Sequence, residues 1–164
     1  MDVSYIIDDR LAVGGGIWTA EDMAAMAAAG FTHIVNLQAE FDHSEMARVA
    51  GLQVLWNPTE DDLTPKPGVF FERVASFAVS ALKDEKARVY VHCAAGVHRG
   101  PLAAAGVLCA LGYRPEAAME LISARRNWAE FPDVYQRSLK RWALSRERGK
   151  GKKPPGKPTR SVKH

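Results

Sequence analysis

The chain is poor in cysteine. Its 164 residues hold two, Cys93 and Cys109, too few for a disulfide framework, and a reducing, cytoplasmic setting is expected. It also lacks a long apolar run. The longest, around residues 102–111, falls well short of the bilayer, so no membrane span is expected. The first ten residues carry Asp2, Asp8 and Asp9 and no basic stretch leading into an apolar one, which argues against a signal peptide. There is no internal repeat. His33 and His43 do not stand at metal spacing with any other His or Cys, and no metal or other cofactor is expected. Acid is absent from residues 149–164 (GKGKKPPGKPTRSVKH), which hold five Lys and one Arg. The whole chain is at +3, so without these six cations the remainder lies at about −3. The basicity belongs to a tail and not to the fold, and no nucleic-acid partner is expected. With Val162 as its one large apolar residue, the tail cannot offset the entropy of ordering and is expected to be disordered. The organisation expected is a monomer with one domain over 1–148 and a basic tail over 149–164.

What remains is rich in apolar residues, 47% of the chain, enough for one substantial core. Residues 3–7 (VSYII) and 11–13 (LAV) read as short strands. Thr19 stands three before Asp22 and opens a helix that stops at Gly30. Strands are expected over 31–37 (FTHIVNL) and 52–56 (LQVLW), with a short helix at 43–50 between them. Residues 57–67 (NPTEDDLTPKP) should be a loop, because prolines and an acidic cluster disfavour both helix and strand. The apolar stripe at 70, 71, 74, 77, 78 and 82 predicts a helix over 68–83. A buried strand at 88–92 follows, then helices from Pro101, Pro115 and about Pro132. The alternation predicts an α/β domain whose central, largely parallel sheet of about four to five strands is flanked by helices. Ligands of such sheets sit beyond the carboxyl ends of the strands.

Cys93 lies at such an end, in the stretch VYVHCAAGVHRGP at 89–101. The residues between it and Arg99, namely Ala94, Ala95, Gly96, Val97 and His98, are small or uncharged, so their amides can line a cup above a helix N-terminus. That is an anion site. Gly96 gives the loop its curvature. Arg99 closes it with a planar fork able to hold two phosphate oxygens. Amide dipoles and Arg99 favour the thiolate form of a cysteine placed there. An anion cup with a nucleophile at its base is suited to attack on phosphorus and a cysteinyl-phosphate intermediate.

His92, Cys93, Gly96 and Arg99 form an H-C-x5-R pattern with a strand before and a helix after. In this the chain resembles the cysteine-dependent protein phosphatases, and over roughly residues 3–142 their compact dual-specificity branch. The resemblance implies that Cys93 is the nucleophile and Arg99 the phosphate clamp, and that His92 holds the loop without taking part in the chemistry. One position departs. The family usually has Ser or Thr after the arginine, where a hydroxyl helps the thiolate leave; here it is Gly100. Hydrolysis of the intermediate is then expected to be slow.

The leaving oxygen needs a proton donor, and a carboxyl on a mobile loop is the usual solution. The resemblance places the acid three residues after a proline that ends the preceding strand. Pro58 plus three is Asp61, with Asp62 as the alternative. Clustered negative charge in Glu60-Asp61-Asp62 would raise the pKa of whichever is buried.

His98 either meets the substrate or faces solvent. Cys109 reads as a small buried side chain, and Trp18, Trp56, Trp128 and Trp142 as core. Asn127, Trp128 and Phe131 could line the rim. The cup offers no lysine, which disfavours multiply phosphorylated inositols. The substrates expected are a phosphorylated protein, on Tyr and on Ser/Thr, or a small phosphomonoester. The pattern C-x-A-G-x-x-R-x-P, with LAVGG, TAEDM and GFTHIVNLQ, also resembles the phosphoglucan phosphatases. A phosphate-binding pseudophosphatase is the alternative of another class.

Overall fold

The computed structural model describes residues 2–151. In chain order it runs β1 (Val3–Ile7), β2 (Leu11–Gly14), α1 (Ala20–Ala28), β3 (His33–Gln38), α2 (Ser44–Val49), β4 (Gln53–Thr59), α3 (Gly68–Leu82), β5 (Val89–His92), α4 (Arg99–Ala110), α5 (Pro115–Arg125) and α6 (Asp133–Gly151). The last helix thus enters the stretch expected as tail, and the rest of that tail lies outside the described residues. Among the described residues no helix is long and apolar enough to cross a membrane.

The five strands lie in the order β1-β2-β5-β3-β4; β1 and β2 pair antiparallel and the remainder parallel. The expected α/β class and largely parallel sheet are therefore those observed. Strand β5 is central and buried at all four positions, and its side chains alternate between two layers. Val89 and Val91 join the core under α3–α6, while Tyr90 joins Met23, Met26 and Phe31 in the core under α1 and α2. At about 1.5–3 kcal/mol for each fully buried large apolar side chain, these two layers fix where β5 ends. Helix α4 is equally constrained, for it is buried from Arg99 through Leu108. The chemistry-bearing loop is strung between two deeply buried elements of the fold.

Helix α1 starts as expected, with Thr19 accepting the Asp22 amide, and Gly30 follows it at φ +100°. Two boundaries differ from expectation. Strand β4 continues through Pro58 to Thr59, where a loop was expected. It is an edge strand with a register shift opposite Asn36–Gln38, and an edge tolerates a residue with no N–H to donate. Helix α4 begins at Arg99, ahead of Pro101, because proline in a first turn removes an N–H that has no intrahelical partner.

Candidate active site

Cys93 follows β5 directly and is 2% exposed. Its Sγ accepts the Gly100 amide at 3.2 Å, in the first turn of α4, where unpaired N–H groups and the helix dipole favour negative charge. The carbonyls around the 94–97 loop are held from outside. Ala94 O accepts from Gly16 N at 2.9 Å, Gly96 O from Arg126 Nε at 2.7 Å, and Val97 O from Glu130 N at 2.8 Å. Trans peptides put the following amides on the opposite face of the loop. Gly96 has φ +70°, and a Cβ there would collide with the Arg126 guanidinium and the Gly14 carbonyl, so both backbone angle and space demand glycine.

Arg126 is fully buried. Besides Gly96 O it reaches the Asp2 carboxylate through both terminal nitrogens, at 3.0 and 2.6 Å, and Ser4 Oγ at 3.0 Å. It thereby ties the loop to the start of β1.

Arg99 is held end-on. Its Nη1 and Nη2 meet the two carboxylate oxygens of Glu40 at 2.9 and 3.0 Å, and Nη1 also donates to Thr59 O at 2.8 Å. The hydrogen bond from Arg99 holds the Glu40 carboxyl below its usual range. Arg99 Nε is buried with no partner. The edge left free, Nε–H and the second Nη2–H, is the side-on fork that fits two oxygens of a phosphate.

His92 lies beneath the loop. Its Nδ1, 3.0 Å from Cys93 O, faces an acceptor and so carries the hydrogen; Nε2 must then accept from His43 Nε2 at 2.8 Å, an assignment made from the network. That leaves His43 Nδ1 buried without a partner. Burial lowers both imidazole pKa values, His92 to about 3, so the pair stays neutral.

Asp61 stands over the loop on the segment after β4. Its Oδ2 is 2.9 Å from His98 Nδ1, and its Oδ1 accepts the Tyr135 hydroxyl at 2.9 Å. Tyr135 accepts the Leu63 amide in turn, and Leu63 adopts φ +58°, a left-handed turn that sets this segment's path. The acidic cluster does not raise the pKa of either aspartate, contrary to expectation. Burial pushes Asp61 up, but the hydrogen bonds from His98 and Tyr135 outweigh it and the net direction is down. Asp62 turns away, onto Thr64 and Lys66, whose hydrogen bonds hold it far below the usual range. The structure thus brings Asp61 to the cysteine loop and uses Asp62 to shape the turn.

Residues 16–144 match the family described as "Dual specificity phosphatase, catalytic domain". The chain belongs to the dual-specificity phosphatases. Among solved structures it is similar to PTPMT1, at 19% identity over 92% of this chain and 99% of that one, with a TM-score of 0.77. It is also similar to human DUSP28, at 18% over 90% and 96% with 0.75, and to Tk-PTP in the active form, at 19% over 88% and 97% with 0.74. A second PTPMT1 structure, similar at 20% identity over 90% and 99% with a TM-score of 0.78, is described as a complex with PI(5)P. No curated protein matches the chain.

In this phosphatase Gly100 proves open to substitution. It is helical, and a Cβ would lie 3.5 Å from Cys93 N, Cys93 Sγ and Val13 Cγ1, ordinary contact distances. Of the tryptophans expected in the core, Trp142 is buried, but Trp18 and Trp128 are 46% and 50% exposed. Trp18 packs tilted against Phe41 and folds back over Gly16, which bonds Ala94; Trp128 lies over the Arg126 guanidinium at 4.6 Å. Two half-exposed indoles therefore flank the loop. Cys109 is partly buried, and burial pushes its pKa up to about 11. Sequence reasoning missed Glu40, His43, Arg126, Asp2 and Tyr135. Nothing in their spacing marks them, since each reaches the loop only through the tertiary fold.

Proposed function

We propose that this domain hydrolyses phosphomonoesters through a cysteinyl-phosphate, with Cys93 as nucleophile, Arg99 as phosphate clamp and Asp61 as acid. The observation that carries it is the Gly100 N–H on Cys93 Sγ beside an Arg99 whose side-on fork is unpaired in a buried site. Phosphate seated on that fork and the loop amides meets the sulfur at the base of the cup. As the Sγ–P bond forms and the ester P–O bond breaks, a proton reaches the leaving oxygen from the Asp61 side. Water then attacks the cysteinyl-phosphate, its proton returns to Asp61, and the departing thiolate is received by the Gly100 amide and the α4 N-terminus. His92, held neutral by its burial, donates to the Cys93 carbonyl and steadies the loop.

The substrates proposed are phosphotyrosine and phosphoserine/threonine in proteins. Half-exposed Trp18 and Trp128 suit a planar group beside the phosphate. The cup offers no lysine for the further phosphates of a multiply phosphorylated lipid head group, which disfavours that substrate. The same indoles would stack on sugar rings, which favours phosphoglucan as the second reading. Turnover of phosphotyrosine peptide, phosphothreonine peptide, phosphorylated amylopectin and PI(5)P, assayed side by side, separates these. Cys93→Ser should abolish every activity while retaining binding of phosphate or tungstate.

A further inference from the structure

His98 is the one residue of the loop interior that carries a titratable side chain, and it is partly buried. Its ring is clamped between two carboxylates, Asp61 Oδ2 at 2.9 Å from Nδ1 and Glu130 Oε1 at 3.1 Å from Nε2. A neutral imidazole has one N–H and one bare lone pair, so it can satisfy only one ionised carboxylate. With both carboxylates ionised, the geometry demands the imidazolium. With His98 neutral and Nε2–H on Glu130, the Nδ1···Oδ2 bond needs its hydrogen on Asp61. One proton therefore resides on the Asp61–His98 pair in either state.

We propose that Asp61 and His98 form a one-proton acid couple in which His98 stores the proton that Asp61 delivers to the leaving oxygen, with Glu130 positioning the far nitrogen. The proposal rests on the phosphatase reading above. His98 acts through Asp61, as a positioning and proton-storing residue.

The steps balance. In the free enzyme His98 is the imidazolium and Asp61 the carboxylate. As Cys93 Sγ bonds phosphorus and the P–O bond breaks, the Nδ1 proton passes to Asp61 and from Asp61 to the ester oxygen, leaving His98 neutral. The water that later attacks phosphorus returns one proton through Asp61 to Nδ1, and its oxygen leaves on phosphate as the thiolate departs.

The charged and titratable groups facing the couple are consistent with this. Glu130 comes from the α5–α6 connection, Tyr135 from α6 and Arg99 from α4, while Lys66 lies over the Tyr135 ring at 5.4 Å. Burial lowers the His98 pKa, but the hydrogen bonds and charges of Asp61 and Glu130 outweigh it, and the net direction is above 6.5. Tyr135, pushed up to about 12 by burial, keeps its proton and can only donate to Asp61. A lone aspartate lowered by its hydrogen bonds would be an empty acid at neutral pH. The couple keeps the acid loaded up to the raised titration of His98.

The test is the pH profile of kcat with phenyl phosphate, whose poor leaving group needs the proton. In His98→Gln, an amide that can still donate to Asp61 but cannot carry a proton, the alkaline limb should move down by at least about one pH unit. Glu130→Gln should move it the same way by a few tenths of a unit. In an Asp61→Asn background, His98→Gln should add nothing, because the two residues act as one unit. With 2,4-dinitrophenyl phosphate all these effects should nearly vanish. Cys93-dependent turnover with an alkaline limb unmoved by His98→Gln would overturn the couple and leave the phosphatase reading standing. A wild-type protein with no Cys93-dependent turnover on any ester would overturn both.

Discussion

Arg99 and Glu40 meet end-on, two nitrogens to two oxygens, and this pairing leaves the Nε edge of the guanidinium without a partner. Without Glu40 the fork would be free to rotate about its last torsions. Glu40→Gln removes a charge and one of the matched acceptors. It should raise KM and weaken phosphate binding by about tenfold, the order of one charge-assisted hydrogen bond, with a smaller change in kcat. Steady-state kinetics and competitive inhibition by phosphate measure both; equal KM in the two proteins would mean that Thr59 O alone orients Arg99.

The two aspartates should separate cleanly. Asp61→Asn should lower kcat by roughly 10²–10⁴-fold for phenyl phosphate and far less for an activated aryl ester. Asp62→Asn keeps an oxygen that can accept from Thr64 but loses the charge that pairs with Lys66, loosens the turn and should affect both esters alike and mildly. If the variants exchange these behaviours, the acid is Asp62.

Gly100 bears on the second half of the reaction. With no hydroxyl beside the sulfur, breakdown of the cysteinyl-phosphate should limit turnover of an activated ester. Rapid mixing should give a phenol burst comparable to the enzyme concentration. A serine fits the helical backbone and the contact distances there, so Gly100→Ser should raise the steady-state rate and shrink the burst. No burst in the wild type would show that the helix N-terminus alone suffices.

Acid should unfold the protein partly through His92 and His43. Burial lowers both pKa values, His92 to about 3, so below pH 6.5 the unfolded chain binds protons that the fold refuses. Stability is then full above the unfolded pKa and falls as the pH drops below it. From His92 alone the loss at pH 5 is about 2 kcal/mol, taking the fold as neutral there. That corresponds to a drop in Tm of several degrees, roughly 4–8 °C. His43→Gln keeps a donor to His92 and should flatten the slope between pH 7 and 5. His98, with its raised pKa, works in the opposite sense at higher pH, its contribution fading as it deprotonates. Differential scanning calorimetry across this range measures both.

The sequence carried the local part of this design. The cysteine loop was legible because its function depends on residues adjacent in the chain, from His92 to Gly100, between a strand and a helix that periodicity reveals. Asp61 was legible only through family spacing. The remainder was not legible, for a physical reason. Glu40 reaches Arg99 across 59 residues and Tyr135 reaches Asp61 across 74, and neither distance leaves a periodic trace. The end of β4 was misplaced because Pro58 reads as a strand breaker unless the strand is known to lie at an edge, and edge position is a property of the whole sheet. The direction of the Asp61 pKa was misjudged from chain neighbours, whereas partners from α6 and the loop decide it.

The central claim is that phosphorus passes through Cys93, and the most direct measurement is mass spectrometry of the enzyme denatured during turnover. Excess aryl phosphate mixed with the wild-type protein and quenched within the burst should leave one phosphoryl group, located on the peptide that carries Cys93. The same quench of Cys93→Ser should show unmodified protein and no phenol release. A phosphoryl group on any other residue, or turnover that persists in Cys93→Ser, would contradict the account.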